Sequence, residues 1–230
     1  MEALEEQIYR ERLLAGLPLY VDKIPVYSPK LIQIANIGFP IYNTYLSICV
    51  NDNMSPQHTK YENKFLNVLR YDLDYHAYFI LGLEFFTGKR FVWQDTHFAV
   101  EGEDLRLDSN NFNELMRLLR LANCFPEKDI KIKRNKELDR KIVEAKRKIR
   151  EQLGREPDDD RIEFADLVSV LAAKHPNLNI VNVWELTYFQ FNNQFQRMQL
   201  IESYDFGVRQ ILAGFDKDKV KLQHYIKKIK

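Results

Sequence analysis

The segment Tyr188-Phe189-Gln190-Phe191-Asn192-Asn193-Gln194-Phe195-Gln196-Arg197-Met198 sets the character of this chain. Begun at Trp184 and carried on through Ile201, Tyr204, Val208 and Ile211, its apolar residues recur every three or four positions, the spacing of a helix face. The stripe covers about 28 residues, or about 40 Å as one continuous helix. Gly214 stops it. Just upstream, Phe164, Leu167, Val168 and Leu171 form a second helical face that ends before His175-Pro176.

Working back towards the start, helical patterning dominates. Residues 2–15 read as a short charged helix closed by Gly16 and Pro18. Leu17 to Val21 and Ile24 to Tyr27 flank the polar turn Asp22-Lys23, a small hairpin. Ser28-Pro29 reads as an N-cap and first helical position before Leu31, Ile34, Ala35 and Ile37, with Gly38 closing that helix. Further helices are predicted over 40–50, 57–70 and 73–87, the last so uniformly apolar that it belongs in the core. The period then changes to alternation at Phe91, Trp93, Phe98, Val100, Leu105 and Leu107, which predicts two or three strands between 90 and 107. Asp108-Ser109 precedes a helix carrying Phe112, Leu115, Met116, Leu119 and Ala122 on one face.

The expected fold is mainly α with a small antiparallel β element (α+β), a multi-helix domain with a long C-terminal helix. Three regions follow: a helical region 1–125 holding the β element, a basic helix and connector at 126–160, and a C-terminal helical region 161–230 packed on the first. The basic helix carries ten Lys or Arg between Lys131 and Arg150 against Glu137, Asp139 and Glu144. Lys133, Arg134, Arg140, Lys141, Lys146, Arg147 and Lys148 are its candidate contacts to an anionic partner. A solvated face with the i,i+4 pairs Glu137–Lys141 and Glu144–Lys148 explains the same residues. Aromatics are absent there, so stacking on single strands has no support. Arg150-Glu151-Gln152-Leu153-Gly154-Arg155-Glu156-Pro157 resembles a junction in bacterial sigma factors, but a Gly stop followed by a Pro start accounts for it, and the next helix lacks a recognition character.

Composition narrows the function. Apolar residues make up 45% of the 230, with 15 Phe and 12 Tyr, enough for a packed core. Net charge is +1, from 34 basic and 33 acidic residues, so no global field draws the chain to nucleic acid or a membrane. Cys49 and Cys124 sit in apolar contexts and read as reduced, buried small residues. The acidic start and the lack of a long apolar run predict neither a secretory signal nor a membrane span. No catalytic, metal or cofactor motif appears, and a non-enzymatic role without cofactor is expected. His58, His76, His97, His175 and His224 are scattered. Asp72, Asp74 and His76 read as a helix start more readily than as an acid–base or metal site. Glu202 and Asp205 read as salt-bridge or solvated positions.

Three stretches give a family resemblance. They are Ile24-Pro25-Val26-Tyr27-Ser28-Pro29 running through Gly38 to Tyr42-Asn43-Thr44-Tyr45-Leu46, the strands Phe91 to Leu107 with the helix from Asn110, and Tyr188 to Tyr204. Together they resemble the tail-assembly proteins of long-tailed bacteriophages that infect Gram-positive hosts. The long basic helix departs from that pattern. The resemblance implies a chaperone that holds the helical tape-measure protein, or another tail protein, in the host cell cytoplasm. Tyr188, Phe191, Phe195, Met198 and Tyr204 would then form the partner-binding face. Alternatives are a structural tail or connector component of the virion, and a nucleic-acid-binding regulator using 131–150. A homo-oligomer is compatible with each.

Overall fold

The computed structural model describes residues 2–50, 73–94, 96–125, 162–216, 220, 222 and 224–226. The predicted helix at 57–70, the basic helix with its seven candidate contacts, and the connector after it lie outside the described residues.

The chain opens with α1 (Glu2–Leu14), which leads into an antiparallel hairpin of β1 (Leu19–Val21) and β2 (Ile24–Val26). Asp22 takes φ +53° at the turn, a conformation Asp tolerates, and Asn111 Nδ2 donates to its Oδ2 at 2.9 Å. Helices α2 (Leu31–Ile37), α3 (Phe39–Val50) and α4 (Leu73–Thr87) follow. Next come β3 (Phe91–Gln94), β4 (His97–Val100) and β5 (Arg106–Leu107), an antiparallel sheet in that order, and then α5 (Phe112–Ala122). The C-terminal region holds α6 (Phe164–Lys174), a single 3₁₀ turn (Val183–Glu185) and α7 (Tyr188–Leu212). The fold is therefore α+β with two small antiparallel sheets and a long C-terminal helix.

Helices α3 and α4 form the centre. Leu46, Cys49 and Val50 of α3 face Phe79, Leu83 and Phe86 of α4, all buried. Gly82 permits the close approach: a Cβ added there would stand 2.8 Å from Cys49 Sγ. Tyr42 sits deepest, ringed by Phe39, Phe85, Phe86 and Tyr188 at centroid distances of 5.2–6.4 Å. Its hydroxyl donates to Asn123 Oδ1 at 3.1 Å, and Asn123 Nδ2 donates to the Leu119 carbonyl at 2.9 Å. A buried polar pair is thus fully engaged inside an aromatic core. Phe98 of β4 packs on Phe79, which also meets Phe112 of α5, and this fastens the second sheet to the same core.

Two local readings shift in the structure. Ser28 does not cap α2, which starts at Leu31 after the N-cap residue Lys30. Residues 28–31 run extended beside 186–189 instead. Leu31 N–H donates to the Leu186 carbonyl, Tyr188 N–H to the Pro29 carbonyl, and Phe189 N–H to Ser28 Oγ. Helix starts expose unpaired N–H groups, and Ser28 satisfies one belonging to α7 across 161 positions of sequence. The predicted helix from Trp184 likewise begins later. Thr187 and Gln190 form a reciprocal capping box that fixes the start at Tyr188, and Trp184 lies in the 3₁₀ turn.

Candidate partner-binding face of the C-terminal helix

The first turn of α7 is tied down on every side. Besides Ser28 and Pro29, Gln190 Nε2 donates to the Leu14 carbonyl at 2.9 Å, capping the end of α1. Phe191 is buried at 4% exposure and packs on Phe164, Tyr188 and Phe195. Tyr188, Phe195 and Met198 are half-buried against the same core. Four of the five aromatic and Met positions read from the sequence as partner-binding therefore lie against the chain's own core. Burial pushes the Tyr188 hydroxyl up to about 12 and the Cys124 thiol beside it up to about 11.

The fifth, Tyr204, faces elsewhere. In a helix each interval of three residues falls about 60° short of a full turn. Phe195, Met198, Ile201 and Tyr204 are spaced by threes, so the stripe swings round the helix by half a turn. Tyr204 ends on the side away from the core. There the chain doubles back along α7: the Tyr204 ring meets His224 and Tyr225 edge-on at 5.4 Å, and Arg197 donates to the Tyr225 carbonyl. Gly207 leaves room for this return, since a Cβ there would stand 2.9 Å from Leu222 Cδ1 and 3.4 Å from Val220 Cγ1.

Helix α6 runs beside α7 in the same direction and ends at Lys174, which forms an ion pair with Glu202. Beyond that pair the helix projects past the core. Phe206, eleven residues or about three turns after Phe195, continues the core-facing side but is 63% exposed. Ile201, Leu212 and Phe215 are 39%, 81% and 61% exposed. Asp205 and Arg209 lie among them, exposed and one turn apart, yet form no ion pair with each other. Soluble surfaces carry scattered apolar residues, but four at one helix end and just after it concentrate apolar surface there, with Phe206 on the inner side and Ile201 and Leu212 round from it. The sequence stripe passed over Phe206, because it stands two residues from Tyr204 and five from Ile201.

The other candidate chemistry resolves into packing. His76 lies edge-on to Trp93 and Phe98 at 6.1 and 5.5 Å, with its Nε2 buried and unpartnered. Asp72 lies outside the described residues. His175 follows α6, where its Nδ1 accepts from Asn177 N–H. Among the described residues no His, Cys, Asp and Glu side chains gather as a metal site. A shallow depression of about 600 Å³ over β3–β5 is lined by Val92, His97, Glu101 and Arg106, among others, and is open to solvent. Burial raises the Cys49 thiol far above the usual range, which makes it inert. No helix among the described residues is long and apolar enough to cross a membrane.

Residues 155–230 match the family model described as the YomV second domain, from a phage-derived family. That region contains α6, the 3₁₀ turn, α7 and the returning segment. No curated protein and no solved structure matches the chain.

Proposed function

We propose that the protein is a non-enzymatic phage assembly factor that shields an apolar helical protein, as a tail-assembly chaperone shields the tape-measure protein before the tube forms. The observation that carries this reading is the projecting end of α7. Its core-facing side continues past the core and leaves Phe206 exposed, and Ile201, Leu212 and, just after the helix, Phe215 are exposed around the same end. An amphipathic helix laid along that end would bury its own apolar side against theirs, the helix-in-groove mode of recognition. The phage-derived family match falls on the same region, which supports the phage setting. The firm seating of the first turns of α7 supports the mechanism, because a face held in advance loses little entropy on binding.

Co-expression with the tape-measure protein of the same phage tests it. Wild-type protein should keep that chain soluble and co-purify with it. A photo-crosslinking residue replacing Phe206 should capture it, and the same residue replacing Tyr20 on the hairpin should not. Phe206→Asp should abolish co-purification without altering the circular dichroism spectrum. Absence of the protein from purified particles is the further expectation, and its presence there would instead favour a structural tail or connector component. If the tape-measure protein stays insoluble, or crosslinks equally at both positions, the chaperone reading fails.

A further inference from the structure

The uncovered side of the projecting helix is self-complementary, and we infer that in the absence of a heterologous partner it pairs antiparallel with a second copy of this chain. The inference shares its surface with the function proposed above but not its partner. Ile201, Asp205, Arg209 and Leu212 follow one another at intervals of four, four and three, so they line one stripe of α7. Glu202 borders it but is held by Lys174, and Phe206 lies about 40° further round the helix. An acid therefore occupies the first half of the stripe, the arginine the second, and an apolar residue each end.

A second copy running antiparallel, with its Leu212 opposite Ile201, brings its Arg209 within one residue of Asp205. The two-fold axis repeats the contact, as an isologous interface requires. A parallel pairing would set Arg209 against Arg209 and Asp205 against Asp205, like charges in contact. Asp205 and Arg209 are spaced as an i,i+4 pair and still do not pair within the chain, which leaves both charges open to the second copy. The apolar area is of the right size for a weak dimer. Ile201, Leu212 and Phe215 leave on the order of 400 Å² of apolar surface open per copy, and with the Asp205 and Arg209 side chains two copies approach about 1,000 Å², the lower bound of a specific interface.

Sedimentation equilibrium of the full chain tests the inference. Wild-type protein should show a monomer–dimer equilibrium in the micromolar range. Arg209→Glu should weaken it about tenfold or more, and so should Asp205→Lys. An equimolar mixture of the two variants should associate again, because each then meets opposite charge. Circular dichroism checks that both variants remain folded. Orientation is read by oxidation: Ile201→Cys mixed with Leu212→Cys should crosslink, and Leu212→Cys alone should not. A chain that stays monomeric, a dimer indifferent to both charge variants, or self-crosslinking of Leu212→Cys would overturn the inference. A monomeric chain that still solubilises the tape-measure protein would remove this inference alone and leave the proposed function standing.

Discussion

Replacing Gly82 with alanine sets two effects of opposite sign against each other at one atom. Gly82 lies inside α4, where alanine is favoured over glycine by about 1 kcal/mol through helix propensity. The added Cβ would stand 2.8 Å from Cys49 Sγ and 3.4 Å from the Cβ and carbonyl oxygen of Tyr45. Carbon and sulfur atoms do not approach that closely. Cys49 is buried, with its Sγ 3.9 Å from the Phe79 carbonyl, so the sulfur cannot simply swing into solvent. Relief must come from moving α3 against α4, and overpacking of this kind costs about 1–3 kcal/mol. The clash therefore wins, and Gly82→Ala should destabilise the protein by about 1 kcal/mol. In urea, with a slope of about 2–3 kcal/mol per molar, the midpoint falls by about 0.3–0.5 M. Cys49→Ala alone should cost about 1 kcal/mol. In that background the methyl group has room, and Gly82→Ala should become stabilising, a coupling of about 2 kcal/mol between the sites. If Gly82→Ala stabilises the wild-type chain, or if the two substitutions merely add, the α3–α4 approach is not as described.

The second helical glycine should behave in the opposite way. Gly207→Ala meets Leu222, a half-exposed side chain that can move aside, so global stability should hold or rise by up to about 1 kcal/mol. The cost falls on the returning segment, which limited proteolysis should find cut faster around Leu222. Tyr42→Phe should destabilise by about 1–3 kcal/mol, because it strips a donor from buried Asn123 Oδ1, and thermal unfolding measures that loss. Alkali supplies a fourth test. Burial raises Tyr188 to about 12 and Tyr42 above its ordinary value, whereas the unfolded chain releases these protons near pH 10. Their neutral forms thus add stability that is fully present below about pH 10 and is lost as pH climbs towards about 12. Tyr188→Phe should flatten that part of the stability–pH curve, and an unchanged slope would refute the assignment.

The elements were legible where local pattern and tertiary need agree. The hairpin follows from two short apolar pieces around the polar turn Asp22-Lys23, the strands between 90 and 107 from alternation, and α4 from its uniformly apolar run. Ser28 shows where legibility ends. Ser-Pro before an apolar helix is a sound cap pattern, yet the hydroxyl serves Phe189, which is distant in sequence. An N–H group accepts any oxygen that reaches it, and sequence spacing records only the nearby ones. The capping box of Thr187 and Gln190 is local and could have been found; it would have moved the start of the long helix from Trp184 to Tyr188.

The candidate face shows why a regular stripe does not define one surface. Intervals of three and four keep residues together only when they alternate, since a run of threes rotates the stripe steadily. From Phe195 to Tyr204 that run carries the apolar residues off the core and round to the side taken by Tyr225 and His224. The sequence therefore reads as a single partner-binding face where the molecule has two internal contacts joined end to end. What remains for a partner is the surface the stripe abandons. Phe206 marks it: the core side of the helix continues there, but α6 has already ended at Lys174. A helix longer than the neighbour it packs against must expose what its inner side carries. The placement of Phe206 on that inner side, rather than of a charged residue, is the physical reason the proposed binding is assigned to the projecting end.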